Sequence, residues 1–203
     1  MTKLFAEKLL RCVTGLALFG IGITLFIRAD LGLAPWDIFH TGVAERLDIS
    51  VGIVIVGTGL LLLLLWIPLR QKPGLGTILN ALEIGLMVNV SKQFIGETNN
   101  LAVRFLLVLA GLVVVGIGTA MYLGSDLGSG PRDGIMLGMT KRKFFGRFLS
   151  IRLARTLIEV TVLVAGQLLG GKVGIGTVVF MFGIGPLVQF LLPFVSVRQS
   201  QHA

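Results

Sequence analysis

Long apolar runs alternate with short polar stretches along the chain, and their lengths predict membrane-spanning helices. Four runs contain no Asp, Glu, Lys or Arg: Cys12 to Ile27, Val51 to Leu69, Phe105 to Ser125 and Val173 to Val197. A hydrocarbon core about 30 Å thick needs about 20 apolar residues in a helix. The last three runs meet that length directly. The first meets it with its flanks, where Lys8 and Arg11 can extend to the interface.

Two further segments have the same length but carry polar residues, and they raise the predicted number of spanning helices to six. Gly74 to Ser91 includes Asn80 and Glu83, and Phe148 to Gly171 includes Arg155 and Glu159. Both occupy the positions that an internal repeat requires. A soluble protein with six such runs would expose more apolar surface than water tolerates.

The internal repeat is centred on one motif. Ala29-Asp30-Leu31-Gly32-Leu33-Ala34-Pro35-Trp36-Asp37 returns as Ser125-Asp126-Leu127-Gly128-Ser129-Gly130-Pro131-Arg132-Asp133, and Gly76-Thr77 returns as Gly176-Thr177. Self-similarity of this kind constrains the whole fold. We therefore predict one transmembrane domain over 1–203, with repeat 1 at 1–97 and repeat 2 at 98–203. Three crossings per repeat is an odd number, so the second repeat would be inverted relative to the first.

The motif also predicts a helix break in each repeat. Gly32 can end the first helix in a left-handed conformation, and Pro35 suits the first turn of the next helix. A helix from Pro35 to about Leu47 reaches only about 20 Å, too short to cross the bilayer. The second copy would run from Pro131 to about Lys143. The predicted fold is thus an all-α membrane protein of six transmembrane helices in two inverted three-helix repeats, each with a short broken or re-entrant helix after Asp-Leu-Gly.

Composition and charge agree with a membrane protein. The chain is 54% hydrophobic and 14% charged, against about 25% charged residues in soluble domains. The net charge of +8 does not indicate nucleic-acid binding, because the basic residues are scattered over loops. Most of them, including Lys141 to Lys143, fall on one side if the N-terminus and C-terminus are both cytoplasmic. Cys12 is the single cysteine, so an intrachain disulfide is excluded.

Irregular backbone at membrane depth must be buried in protein or line a wet cavity, so the two breaks are the predicted solute or ion pathway. The candidate pathway residues are Asp30, Asp37, Asn80, Glu83, Asp126, Asp133, Arg155 and Glu159. Structural alternatives stay open for each group. Asp37 and Asp133 could cap the short helices, Asp30 and Asp126 could lie among lipid headgroups, Glu83 could hold helices together, and Arg155 could pair with Glu159 one turn later.

No motif for catalysis or for a cofactor occurs in the chain. There is no phosphate-binding loop, no Gly-x-Ser-x-Gly, no His-Glu-x-x-His and no cysteine pair. Trp36, Phe39 and His40 could line the first break, but His40 has no second ligand at metal spacing. We therefore expect no enzyme activity, no metal and no cofactor.

At its Asp-Leu-Gly-x-x-Pro-x-Asp repeat, the chain resembles the YczE group of bacterial integral membrane proteins, which is related to the YitT group. The resemblance rests on Asp30 to Asp37, on Asp126 to Asp133 and on the two Gly-Thr pairs. It covers nearly the full length and implies a multi-pass protein of the bacterial inner membrane. It implies no particular activity and no catalytic residues.

Three functions remain open from the sequence. The first is a permease-like protein that binds or transports a small polar solute or ion, with Glu83 as a proton or cation site. The second is a substrate-binding subunit of a larger importer, which would copurify with an ATPase. The third is a non-transporting regulatory or scaffold factor. The expected partners are the lipid bilayer, a small solute or ion and, in one arrangement, a second copy of the chain, but no nucleic acid.

Overall fold

A computed structural model describes residues 2–141, 143–144, 147–148 and 150–195, and this part of the chain forms eight α-helices and one short β-hairpin. The elements, in chain order, are α1 (Thr2–Ala29), α2 (Pro35–Leu47), α3 (Val51–Leu69), α4 (Leu75–Phe94), α5 (Leu101–Gly124), α6 (Pro131–Thr140), β1 (Lys143–Phe144), β2 (Arg147–Phe148), α7 (Ile151–Leu168) and α8 (Ile175–Val195). The strands β1 and β2 are antiparallel. Arg142, Arg198 and His202 lie outside the described residues.

Four of the described helices are long and apolar enough to cross a membrane: Lys3–Ala29, Val51–Leu69, Leu101–Gly124 and Ile175–Val195. These are α1, α3, α5 and α8, so the four charge-free runs are confirmed as long helices. The two segments with polar residues also form long helices. However, α4 includes Glu83 and Lys92, and α7 includes Arg152, Arg155 and Glu159, so both fall outside the apolar set. The sequence predicted six spans, and apolarity supports four of them.

Helices α1 and α5 form an antiparallel pair at the centre of the fold. A Cβ atom added at Gly15 would lie 2.7 Å from the carbonyl oxygen of Gly118, and one added at Gly118 would lie 2.6 Å from the oxygen of Gly15. Further along, a Cβ at Gly22 would lie 2.8 Å from the nitrogen of Val115. Residue numbers rise on one helix as they fall on the other. Glycine therefore brings the two backbones together, as small residues do in membrane helix pairs.

Each short helix packs against the third helix of the other half of the chain, α2 on α7 and α6 on α3. A Cβ atom at Gly42 would lie 2.9 Å from the Cβ of Leu169, and one at Gly138 would lie 3.0 Å from the Cβ of Leu69. These two contacts occupy matching positions in the two halves. The core is thus built between the halves.

The helix breaks follow the predicted motif with two differences. α2 runs from Pro35 to Leu47 as predicted, whereas α6 ends at Thr140, three residues before the predicted Lys143. The first residue after α1 to adopt a left-handed conformation is Asp30, with φ of 49°, ahead of the predicted Gly32. Asp126 does the same after α5, with φ of 56°. A short polar side chain tolerates this conformation better than most residues do.

Each Asp-Leu-Gly turn is docked on the Gly-Thr pair of the other half. The amide of Gly76 donates to the carbonyl of Leu127 at 2.8 Å, and the amide of Gly176 donates to the carbonyl of Leu31 at 2.7 Å. Gly32 and Gly128 have φ of 106° and 126°. A Cβ atom at either would also lie within 2.8 Å of a threonine Oγ1. Only glycine both adopts this backbone conformation without strain and fits the space beside the threonine.

The two halves differ in one packing contact. α3 packs along α4, and a Cβ atom added at Gly59 would lie 3.0 Å from the Cβ of Ala81. The matching helices α7 and α8 do not pack along each other. Gly85 contacts the α3 backbone, whereas no described residue lies within 4 Å of a Cβ atom added at Gly185, its match. One side of the fold is therefore closed and the other is open.

Candidate solute site between the two short helices

The two short helices begin against each other inside the fold. Pro35 and Pro131 are their first residues, as suits a position whose amide would have no helical partner. The guanidinium carbon of Arg132 lies 4.6 Å from the centroid of the Trp36 indole ring, in a cation–π contact. Both residues are second in their helices. Two positively polarised helix N-termini therefore converge on one region.

Asp37 and His40 lie on the first turns of α2 and are almost completely buried, with relative exposures of 4% and 1%. Nδ1 of His40 is 3.4 Å from Oδ1 of Asp37. This contact is not a hydrogen bond, and neither of these atoms nor Nε2 of His40 has a hydrogen-bond partner among the described residues. Burial lowers the pKa of His40 and outweighs the opposing effect of Asp37. A buried polar group without a partner costs free energy, so this pair is a candidate for a bound ligand or water.

Arg132 is a cation without a salt bridge among the described residues. Asp37, Asp133 and Glu159 each lie close enough to act on it electrostatically. None of their carboxylate oxygens lies within 4 Å of a guanidinium nitrogen of Arg132, so none forms an ion pair with it. The carboxylates therefore act on Arg132 at longer range, and its guanidinium N–H groups stay available.

Three polar side chains surround the N-cap of α6. A Cβ atom added at Gly130 would lie 3.4 Å from Oδ2 of Asp133, 3.5 Å from Nδ2 of Asn80 and 3.6 Å from the hydroxyl of Tyr122. Tyr122 donates to the carbonyl of Gly128 at 3.0 Å, which fixes the loop before α6. A methyl group at Gly130 would therefore make ordinary van der Waals contact with all three side chains.

A small cavity of about 20 Å³ opens beside this cluster. Its polar lining comes from His40 on α2, Thr58 on α3, Asn80 on α4 and Arg132 on α6. The remaining lining is apolar and includes Ile55, Leu62 and Ile84. No carboxylate lines it within the described residues. Its volume holds about one water molecule or an ion of similar size.

Arg155 and Glu159 pair within α7, as the sequence predicted, with Nε of Arg155 2.9 Å from Oε1 of Glu159. Both interact electrostatically with Asp133, which is itself exposed. The pair therefore lies at the open α7 side of the cluster.

Asp30 and Asp126 lie at opposite ends of the α1–α5 pair and form matching salt bridges. Asp30 contacts Arg104 at 2.6 Å and Lys172 at 2.8 Å, and Asp126 contacts Lys8 at 3.2 Å. Hydrogen bonding to Lys172 holds the pKa of Asp30 below its ordinary value. Asp30 also borders a cavity of about 320 Å³ whose other charged residues are Arg28, Glu45, Lys92, Glu97, Arg104 and Lys172. Both aspartates thus join the two halves.

Glu83 lies apart from the cluster. It is half-buried on α4 and acts electrostatically on Cys12 of α1, whose thiol contacts Ser125. It forms no salt bridge within the described part of the chain.

The structure brings together Asp37, Asn80, Asp133, Arg155 and Glu159 out of the eight predicted pathway residues. It separates Asp30, Asp126 and Glu83 from them. Sequence reasoning missed Arg132 as a site residue, although Arg132 stands inside the repeated motif at the position of Trp36. No group of three metal-ligating side chains occurs among the described residues.

Comparison with known proteins agrees with the motif. Residues 6–193 match the model of a family of unknown function, DUF6198. The chain belongs to this family. It is 37% identical to an uncharacterized protein of Haemophilus influenzae, over 89% of this chain and 81% of the relative. No solved structure matches it.

Two relatives from Bacillus subtilis extend the comparison. The uncharacterized membrane protein YczE is 28% identical over 88% of this chain and 82% of its own length. The uncharacterized protein YyaS is 29% identical over 89% of this chain and 90% of its own length. The expected likeness to the YczE group is confirmed. With its four apolar helices, the chain is a YczE-like multi-pass membrane protein.

Proposed function

We propose that this protein is a carrier of the bacterial inner membrane that binds a small polar solute or ion where α2 and α6 meet. The observation that carries this proposal is the contact between Arg132 and Trp36, which joins the starts of two short helices beside the buried Asp37–His40 pair, whose facing atoms form no hydrogen bond among the described residues. Broken helices that direct their N-termini at a central site are a recurring transporter design. The proposal assigns the protein no catalytic chemistry.

In the proposed topology α1, α3, α4, α5, α7 and α8 all cross the membrane, and α2 and α6 are re-entrant. The lengths of α4 and α7, 20 and 18 residues, support this, because each suffices for a tilted or slightly short span. The antiparallel α1–α5 pair and the matching contacts of the two halves support an inverted repeat. The distribution of Lys and Arg supports cytoplasmic termini.

The difference between the two sides suggests how the carrier works. In the proposed orientation, the tight α3–α4 contact lies toward the outer face and the α7–α8 gap lies toward the cytoplasm. The described arrangement then corresponds to an inward-facing state. Rocking of one half against the other would open the first side and close the second.

The test combines uptake with a reversible lock. In a Cys12→Ser background, Gly59→Cys with Ala81→Cys should form a disulfide, because the two Cβ positions are adjacent. Purified protein in liposomes should take up a labelled solute from a panel of ions, organic acids, amines and sugars. Oxidation of the pair should stop uptake, and a reductant should restore it.

One control places a cysteine pair on the open α7–α8 side, and the other replaces an arginine far from the site. Glu159→Cys with Met181→Cys, at the matching positions, should not oxidise in the described state. Arg132→Gln should abolish uptake, whereas Arg46→Gln, at the exposed far end of α2, should leave it unchanged. Uptake that persists with a fully formed Gly59–Ala81 disulfide would contradict the rocking mechanism. No uptake of any solute, with Arg132→Gln leaving a cellular phenotype intact, would contradict transport.

A further inference from the structure

The cavity beside Arg132 differs from the rest of the cluster in what its walls offer. Its charged wall is Arg132, and its other polar walls are the amide of Asn80, the hydroxyl of Thr58 and the imidazole of His40. All four can donate a hydrogen bond. The starting residue of α6, Pro131, also lines it, so the positive end of that helix faces the space. These features favour an anion over a cation.

The cavity volume limits the size of that anion. About 20 Å³ accommodates one water molecule or one ion of similar size. Arg132 is held over Trp36 without a salt bridge, so its N–H groups are free to bind an ion. The apolar walls Ile55 and Leu62 offer no hydrogen bond to a water shell around the ion. A larger organic acid would not fit without displacing α3 from α6.

The charged groups of the cluster around His40, Arg132 and Asp133 determine whether an anion can bind without a proton. Asp37 on its own helix, Asp133 on α6 and Glu159 on α7 are negative, whereas Arg132 on α6 and Arg155 on α7 are positive. α3 contributes Thr58 and α4 contributes Asn80, both neutral. The aspartates would repel an added anion. A proton added to His40 at the same time would cancel this repulsion, because Nδ1 already faces Oδ1 of Asp37 at 3.4 Å.

We propose that this cavity binds one small monovalent anion, of the size of chloride or formate, together with a proton on His40. Nε2 of the imidazolium and the guanidinium of Arg132 would hold the anion between them, and Asp37 would hold Nδ1. The inference rests on the proposed function and gives it a ligand class and a coupling ion. Binding a proton with an anion leaves the charge of the buried site unchanged, which limits the cost of desolvation.

The experiment measures the titration of His40 directly. The chain has two histidines, so a His202→Ala background leaves a single imidazole for NMR of histidine-labelled protein in nanodiscs. Spectra are recorded against pH in sodium chloride, in sodium formate and in sodium gluconate of equal ionic strength. We expect the small anions to raise the pKa of His40 relative to gluconate. Chloride affinity should then rise about tenfold per unit of decreasing pH above the titration of the free site.

The variants assign that effect to the cavity. Arg132→Gln should abolish the anion-dependent shift, Arg132→Lys should weaken it, and Arg46→Gln should leave it unchanged. Monodisperse elution of each variant shows that it is folded. Identical His40 titrations in chloride, formate and gluconate would overturn the inference and assign the cavity to water only. A response to added sodium or ammonium in place of the anion would also overturn it.

The two proposals fail separately. An anion-dependent His40 shift without uptake in liposomes would retain the binding site and overturn the carrier. Uptake of a larger solute with no anion effect on His40 would retain the carrier and overturn the anion site.

Discussion

The α3–α4 side and the α7–α8 side have the same place in the two halves, yet one is closed and the other is open. On α3, Gly52 and Gly59 allow α4 to approach; the matching α7 positions are Arg152 and Glu159. On α4, Gly85 contacts the α3 backbone, and a Cβ atom there would lie 2.7 Å from Cγ2 of Val56. The duplicated framework thus keeps its helix order while small residues decide which helices touch.

The difference shows that the matching helix pairs of the two halves present different surfaces. The closed side relies on glycine packing, whereas the open side carries charged side chains that face the cluster at Asp133.

The largest loss of stability is expected on substitution of Trp66, through which the two halves contact each other. Its indole Nε1 donates to the carbonyl of Pro131 at 2.9 Å, and its ring fills the space above Gly134. In the other half, Ile38 stands at the position of Gly134 and Gly166 at the position of Trp66, and these two residues are also in contact. The large residue has therefore moved from the third helix to the short helix. Trp66→Ala should lower the free energy of unfolding by about 3–5 kcal/mol, measured by SDS titration in micelles.

A matched double variant sharpens that prediction. Gly134→Ile alone should clash with Trp66, whereas Gly134→Ile with Trp66→Gly copies the Ile38–Gly166 contact. The double variant should recover part of the stability that either single variant loses. Strictly additive losses would mean that the two contacts are not equivalent.

A smaller loss of stability is expected when a large side chain is placed between α3 and α4, and almost none when it is placed at the matching position on α8. Gly85→Leu should destabilise the protein by about 1–3 kcal/mol, because its neighbours are backbone atoms of α3. Gly185→Leu, at the matching position, should change stability by less than about 0.5 kcal/mol, because no described residue lies within 4 Å of a Cβ atom there. The same SDS titration compares them, and equal losses would contradict an open α7–α8 side.

The smallest effect is expected at the paired salt bridges. Lys8→Gln and Arg104→Gln should each cost about 0.2–1 kcal/mol, because the pairs are partly exposed and screened. The pKa of Asp30 is lowered from its ordinary value of 3.8, so its salt bridges stabilise the fold at pH values above 3.8. This stabilisation is lost as the pH falls through the lower pKa of the folded state. Thermal unfolding should therefore show no pH-dependent contribution from Asp30 between pH 8 and 5, because its stabilisation is constant there. A change in that window that Asp30→Asn abolishes would contradict this assignment.

Local signals in the sequence were sufficient for much of the fold. Pro35, with the preceding Asp-Leu-Gly, predicted α2 to the residue, because proline and glycine act on the backbone beside them. The end of α6 and the β1–β2 hairpin were missed, since the segment after Thr140 carries no strong stop signal. The left-handed Asp30 was missed because glycine is the commoner choice for that conformation.

The candidate site was only partly predictable, because it depends on contacts between residues far apart in the chain. Asp37 and Asp133 stood out as repeated charges, and Arg155–Glu159 as a local pair. Arg132 lacked a partner in the sequence, and its position over Trp36 follows from the meeting of α2 and α6. The composition of α4 favoured Glu83 as the site, but the structure turns that side chain toward α1.

The exchange of partners between the halves has a consequence for biosynthesis. α2 gains most of its packing contacts only when α7 has been synthesised, and the carbonyl of Leu31 gains its hydrogen bond only when Gly176 has been synthesised. During translation α2 must therefore wait for its contacts with α7 until the ribosome has nearly finished the chain. Two separately expressed fragments, cut between Phe94 and Leu101, should need each other to escape degradation.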